Sequence, residues 1–254
     1  MNKSVFISGG TANTGFGVSE KFAKEGYNVF IGSRNLESSE KVANMLSEKY
    51  GVYAKGYRTV SCDEENVNEI FCDIEKQGFL VDSLVLVAAD LGVNQEFLTV
   101  DIKDFSTVIN TNITWNFMLV RAAAKHMMKR GSGSVVFINS NTAYRTIPNR
   151  IAYSASKSGA LGMMRALALD LGKYKIRVNA VLPGMIKTDR WEKNLNDVQN
   201  APSRYTPLGD IASFDDIANA VWYFASDMSL NTTGAELVVD GGNTIQLYPI
   251  IEDK

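Results

Sequence analysis

Seven short runs rich in β-branched and other apolar residues recur along this chain, alternating with six longer stretches of helical periodicity. The strand-like runs are residues 3–8, 28–32, 52–57, 83–89, 133–140, 176–183 and 235–242. Several show the unbroken apolar character of strands buried on both faces. The helical stretches are 17–25, 38–50, 64–77, 105–129, 153–172 and 214–226. This alternation predicts a doubly wound α/β fold of the Rossmann type, with a seven-stranded, mostly parallel sheet and helices on both faces. Residues 1–254 read as one domain, since no linker, repeat or low-complexity tract divides them. The stretch 191–210, with two of the five prolines, interrupts the pattern and reads as an insertion near a site.

Composition narrows the function classes. Apolar residues make up 45%, charged residues 21%, and the net charge is −2. That balance is globular and argues against nucleic acid or an anionic membrane as the main partner. No apolar run reaches the roughly 20 residues of a membrane span, and the N-terminal apolar run is too short for a signal peptide. Cys62 and Cys72 lack zinc or redox spacing and read as buried or idle thiols, so the expected location is cytoplasmic. No Cys/His/carboxylate cluster has metal-ligand spacing, and no metal is expected. His126 reads as a cation closing a helix, the methionine pairs at 127–128 and 163–164 as core or interface filler, and 63–66 (DEEN) as a helix N-terminus.

Between the first strand and first helix lie Gly9, Gly10, Gly15 and Gly17, with Phe16 between the last two. Glycine there permits a tight turn and lets backbone approach a pyrophosphate at a helix N-terminus, which predicts dinucleotide binding. At the end of the second strand, Asp or Glu would accept from a free ribose 2′-hydroxyl. This chain has Ser33 and then Arg34. An arginine suits a 2′-phosphate, so NADP(H) is preferred, with NAD(H) possible and Arg34 alternatively only a solvated loop cation.

Tyr153 and Lys157 stand one helical turn apart in IAYSASKSGAL, and Ser140 closes a strand thirteen residues upstream of the tyrosine. A phenol with a pKa near ~10 is a poor acid or base at neutral pH. An adjacent ammonium favours its ionised form, and bringing the pKa to neutrality takes about 4 kcal/mol of differential interaction. Tyr153 could then exchange a proton with a carbonyl or alcohol oxygen while hydride moves at its carbon. Ser140 would hydrogen-bond the same oxygen, and Lys157 would also hold the nicotinamide ribose.

With these motifs the chain resembles the single-domain short-chain dehydrogenase/reductases of about 250 residues, over nearly its whole length. The resemblance rests on Ser140, Tyr153 and Lys157, on SNTAY from Ser140, on VNAVLPGMIKT at 178–188 and on VVDGG at 238–242. It implies that Pro183, Gly184, Ile186 and Thr188 line the nicotinamide. It also implies a fourth catalytic member, Asn112, which bends the long middle helix and holds a water linking the lysine to solvent. Two departures stand out. The glycine turn has five residues (10–14) before Gly15, a length similar to the divergent enoyl reductase branch. That branch spaces its tyrosine and lysine seven apart, however, where this chain has Ala160. The family's Asn-Asn-Ala-Gly is replaced by Leu86-Val87-Ala88-Ala89, which leaves cofactor contact to the Ala88 and Ala89 backbone.

The activity implied is oxidoreduction between a ketone and a secondary alcohol. A catalytically silent NADP(H)-binding sensor or regulatory protein is the alternative. Near the expected site mouth lie Asn141, Thr142, Arg145, Asn149 and Arg150, then Met185, Lys187, Arg190, Trp191 and Arg204. This rim would suit a keto-sugar, a polyol or an acyl group on an acidic carrier, with Asn141, Arg145, Met185 and Trp191 as substrate contacts. The rival reading pairs the arginines with acidic side chains or a neighbouring subunit. The resemblance implies a homotetramer packed through helices 105–129 and 153–172, whose alanine-rich faces fit close helix approach in a tetramer or within one subunit.

Overall fold

The computed structural model describes residues 2–188 and 202–249. Seven strands form one sheet: β1 (Ser4–Ser8), β2 (Asn28–Ser33), β3 (Ala54–Arg58), β4 (Ser83–Leu86), β5 (Gly133–Ile138), β6 (Ile176–Pro183) and β7 (Glu236–Val239). Their spatial order is β3-β2-β1-β4-β5-β6-β7, and every neighbouring pair is parallel. The order reverses direction between β1 and β4, which opens a crevice at their carboxyl ends.

Successive side chains of each strand feed two separate cores. Val5 and Ile7 of β1, Val29 and Ile31 of β2 and Val85 of β4 pack with α1 (Asn13–Lys24), α2 (Leu36–Tyr50) and α7 (Phe214–Ala225). Phe6, Phe30, Leu84 and Leu86 face the opposite layer of α3 (Glu64–Lys76), α5 (Asn116–Arg130) and α6 (Ile151–Gly172). On the first face, Phe22, Tyr27 and Trp222 meet edge to face at 5.2–5.4 Å and fasten α1 to α7.

Element ends follow local chemistry. Asn35 caps α2 by accepting from the Ser38 N–H, and Asp63 caps α3 by accepting from Asn66, so DEEN is a helix start as expected. The helix α1 begins at Asn13, four residues before the expected Gly17, with Asn13 itself at φ 48°. The expected continuous helix 105–129 is divided. It comprises α4 (Ile102–Ile109), a π-helical turn (Asn110–Trp115) and α5.

His126 does not serve as a charged helix end. It is buried, its ring meets Phe71 edge to face at 5.4 Å, and its Nδ1 accepts from the Val81 N–H. Burial pushes its pKa down. Ala122, Ala123 and Ala124 likewise lie inside the subunit's own core. Cys62 is half-buried and Cys72 exposed, and neither forms a disulfide.

Gly56 of β3 sits where an added Cβ would lie 2.4 Å from the Glu40 amide nitrogen of α2, whereas Gly162 of α6 faces open space. Gly56→Ala is expected to destabilise by about 1–3 kcal/mol through overpacking. Gly162→Ala should stabilise by roughly 0.5–1 kcal/mol through helix propensity. Denaturant unfolding of the two variants checks both signs.

Candidate active site

The carboxyl ends of β1, β4, β5 and β6 carry the predicted residues to one side of the sheet. At the end of β1, Gly9 has φ +76°, and its N–H donates to Gly32. A Cβ on Gly9 would sit 2.9 Å from the Ala88 nitrogen, and one on Gly15 would sit 1.9 Å from the Gly9 carbonyl oxygen. Only glycine allows this close folding of the turn onto α1 and the end of β4. Ser19 Oγ donates to the Gly10 carbonyl and holds the turn from inside the helix. Gly15, Phe16 and Gly17 lie in α1, whose first turn carries no side-chain cap and no acidic residue, leaving its N–H groups facing the crevice. Gly17 packs against Phe214 of α7.

At the end of β2, the Ser33 hydroxyl is committed to the Asn35 carbonyl and to Ser39. Arg34 is exposed and makes no ion pair among the described residues. Ala88 is held through its N–H to the Ser8 carbonyl, and Ala89 follows it to the rim. The amides missing from this turn have a substitute across the crevice. Asn112 Oδ1 accepts from the Asp90 N–H at 2.7 Å, and its Nδ2 donates to the Asp90 carbonyl at 2.8 Å. That same Nδ2 reaches Ser156 Oγ on α6 at 2.9 Å. Asn112 occupies the π-helical turn, and its backbone carbonyl accepts from Asn116 Nδ2 at 2.8 Å. The helix is thus widened at Asn112, and the side chain ties three elements together.

Ser140 follows β5 and starts a 3-10 turn, Asn141–Ala143. Its Oγ donates to Thr142 Oγ1 at 2.9 Å and lies within hydrogen-bonding reach of the Tyr153 phenol. Lys157 is buried, with Nζ donating to the Ile138 carbonyl at 3.1 Å and lying 5.5 Å from the Tyr153 ring centroid. Asn139, which the sequence did not single out, joins the two sides. Its Oδ1 accepts from the Ser140 N–H, and its Nδ2 donates to the Lys157 carbonyl at 3.0 Å.

Burial pushes the Tyr153 phenol above its ordinary pKa, while the Ser140 hydrogen bond and the Arg150 charge act in the opposite direction. Burial pushes the Lys157 amine down to about 8. Within the protein alone, desolvation of the phenol therefore outweighs the cations near it.

Ser140, Asn141, Arg145, Tyr153, Gly184, Met185, Ile186 and Thr188 line a cavity of about 780 Å³. Pro183 ends β6, and Gly184 lies against Asp240, where a Cβ would come within 2.5 Å of the Asp240 Cβ. Leu91, Ile147, Tyr205 and Asn243 also line the cavity and were not anticipated. Asn243 accepts from Asn141 Nδ2 and donates to the Tyr205 carbonyl, so the segment after β7 closes one wall. Arg190 and Trp191 lie outside the described residues. Lys187 pairs with Asp210. Among the described residues no group of three His, Cys, Asp or Glu side chains could hold a metal ion, and no helix is long and apolar enough to cross a membrane.

The chain is similar to known proteins over nearly its whole length. A family model described as enoyl-(acyl carrier protein) reductase matches residues 10–244. The chain is 33% identical over 248 residues to the 3-oxoacyl-[acyl-carrier-protein] reductase of Chlamydia trachomatis, covering 95% of this chain and 97% of that one. It is 30% identical over 254 residues to the L-rhamnose 1-dehydrogenase (NAD(P)(+)) of Azotobacter vinelandii, covering 97% and 98% of the two chains. Among solved structures, ElxO with NADP bound superposes with a TM-score of 0.88 at 32% identity, over 97% of this chain and 100% of that one. With a parallel seven-stranded sheet and relatives matched end to end, the chain belongs to the short-chain dehydrogenase/reductase family of NAD(P)-dependent oxidoreductases acting on CH–OH and C=O groups.

Proposed function

We propose that this protein is an NADP(H)-dependent oxidoreductase that interconverts a ketone and a secondary alcohol on a polar substrate of keto-sugar, polyol or 3-oxoacyl type, with Tyr153 as general acid and base. The observation that carries the reading is the meeting of Tyr153 and Ser140 on the wall of one cavity at the carboxyl end of the sheet, with the buried Lys157 amine 5.5 Å from the Tyr153 ring centroid. The cofactor would be held along the glycine cradle made by Gly9, by Gly15, Phe16 and Gly17 at the start of α1, whose first N–H groups at 13–15 favour an anion, and by the Ala88 and Ala89 backbone. Arg34, with no ion pair among the described residues and with Ser33 where an acidic residue would stand, is the group for a 2′-phosphate. Pro183, Gly184, Ile186 and Thr188 would border the nicotinamide, and Lys157 its ribose.

A nicotinamide bound there supplies hydride in reduction and accepts it in oxidation. Tyr153 Oη gives its proton to the substrate oxygen in reduction and takes it back in oxidation. The Ser140 hydroxyl, turned from Thr142 Oγ1, donates to the same oxygen. Lys157, with an amine pKa of about 8, is protonated at neutral pH and sits where its charge favours the phenolate. Asn112 fixes Asp90 and Ser156, and Ser156 Oγ donates to the Tyr153 carbonyl at 2.8 Å, so Asn112 positions the catalytic turn of α6.

The same reading makes the protein a cytoplasmic homotetramer of one-domain subunits, residues 1–254. It is supported by the exposed Phe117 and Met128 of α5, Leu169 of α6, and Leu237 and Val238 of β7.

Oxidation of NADPH over a panel of ketoses, 3-oxoacyl thioesters and diketones tests the activity. On the best substrate Tyr153→Phe should lower kcat by roughly 100-fold or more. Turnover at the wild-type rate would remove Tyr153 from the chemistry. Arg34→Ser should lower kcat/KM for NADPH by about 10- to 100-fold and leave that for NADH nearly unchanged. An equal loss with both cofactors contradicts the 2′-phosphate role.

Lys157 is costly to keep charged where it is. Its pKa falls from 10.5 to about 8 on burial. That corresponds to roughly 3 kcal/mol of lost stability while the amine is protonated. Lys157→Met should therefore melt above wild type at pH 7 while losing turnover. Between pH 8 and 10.5 the unfolded amine binds more proton than the folded one, so wild-type stability rises with pH and the gap closes. Melting curves across that window check the sign.

A further inference from the structure

The substrate cavity has two arginines on its described lining and no carboxylate. Each guanidinium is anchored through one nitrogen only. Arg150 Nη1 donates to the Leu91 carbonyl at 3.0 Å and to the Gly92 carbonyl at 3.2 Å. Arg145 Nη1 donates to the Asn243 and Thr244 carbonyls, both at 3.0 Å, and to the Gln246 carbonyl. Carbonyls orient a guanidinium without neutralising it. Neither arginine makes an ion pair among the described residues, in contrast to Lys187 on the same rim, which Asp210 neutralises. Nε and Nη2 of both arginines have no hydrogen-bond partner among the described residues, so each offers a paired-donor edge from a fixed position. That edge matches the two oxygens of a carboxylate.

Resting on the function proposed above, we infer that the substrate is an oxo- or hydroxy-carboxylate whose carboxylate pairs with the free edge of Arg150 while its reacting oxygen sits between Ser140 and Tyr153. Arg150 is the half-buried one of the two, and it precedes Tyr153 by three residues at the start of α6. Arg150 is the N-cap of that helix, and both it and Tyr153 line the same cavity. An acid group held there is a few bonds from the carbonyl, which fits a short keto acid or sugar acid and places a bulky carrier-linked chain second. Arg145, exposed and tied to the segment after β7, adds its charge from the opposite wall. The end of the cofactor cradle marked by Gly9, Ser33 and Arg34 is not part of this lining.

The test compares 4-oxopentanoate with its neutral isostere 4-oxopentanamide at saturating NADPH, in wild type, Arg150→Gln, Arg150→Lys and Arg145→Gln. The quantity read is the ratio of kcat/KM for the anion to that for the amide. Wild type should favour the anion by roughly 10- to 100-fold, expressed mainly in KM and weakened by added salt. The ratio should fall towards one in Arg150→Gln and be partly retained in Arg150→Lys. Arg145→Gln leaves the clasp on Leu91 and Gly92 intact and should give a smaller drop, which keeps the test open if Arg150→Gln does not fold. A general loss of packing would lower both rates and leave the ratio alone, so an unchanged ratio in the variants overturns the inference. So does a wild-type ratio near one, and in that case the hydride-transfer reading still stands. If neither compound turns over, calorimetric titration of the same pair into protein with NADP+ decides. Tighter binding of the anion that is lost in Arg150→Gln supports the carboxylate site, and equal or absent binding of both contradicts it.

Discussion

A lysine ammonium buried against a phenol ring is the constraint around which this structure is arranged. Among the described residues, Lys157 has one acceptor for its amine, the Ile138 carbonyl at the end of β5. Its backbone carbonyl is meanwhile gripped by Asn139 of the next residue along that strand. The turn of α6 bearing Tyr153 and Lys157 is thereby registered against the strand that precedes Ser140. A neutral side chain would pack there more cheaply. A titratable amine is kept there nonetheless, 5.5 Å from the Tyr153 ring centroid.

The other side of the cleft is built from backbone rather than side chains. Gly9 and Gly15 let the β1 turn fold onto itself and press against Ala88, leaving the N–H groups of α1 facing outward. Asn112 performs the equivalent task for the β4 turn, reaching back from a π-helical turn to clamp both backbone groups of Asp90. Since the same amide also holds Ser156, movement of the β4 turn is coupled to the helix that carries Tyr153 and Lys157. The turn after β4 and the turn of α6 that bears Tyr153 and Lys157 are therefore parts of one hydrogen-bonded unit.

The strands were legible because residues such as Val5–Ile7 and Val135–Phe137 are buried on both faces and leave uninterrupted apolar runs. Ser140, Tyr153 and Lys157 stood out through their spacing together with the strand end before them and the family resemblance, and the fold brings the three side chains together. The start of α1 was not legible, because TANTG has loop composition while Asn13 enters the helix from a left-handed conformation. The break at 110–115 was hidden too, since one inserted π turn barely disturbs a 3.6-residue apolar period. Partners distant in sequence could not be read at all. Asn139 meets Lys157 across 18 residues, Asn112 meets Ser156 across 44, and Asn141 meets Asn243 across 102. The lone histidine was misjudged because a helix-terminal position suggests charge, whereas the fold packs it beside Phe71. For the rim arginines two readings stood open, a substrate contact or pairing with acidic side chains, and among the described residues Arg145 and Arg150 meet backbone carbonyls instead of carboxylates.

Ionisation of Tyr153 itself is the most direct measure of this account. The near-ultraviolet tyrosinate absorbance of wild type minus Tyr153→Phe, titrated with pH, isolates that one phenol. In the free protein burial should hold its pKa above the ordinary tyrosine value, and addition of NADP+ should bring it down towards neutrality. A difference titration that stays at the ordinary value and does not move with NADP+ would contradict the claim that a buried, cation-primed phenol is the acid and base.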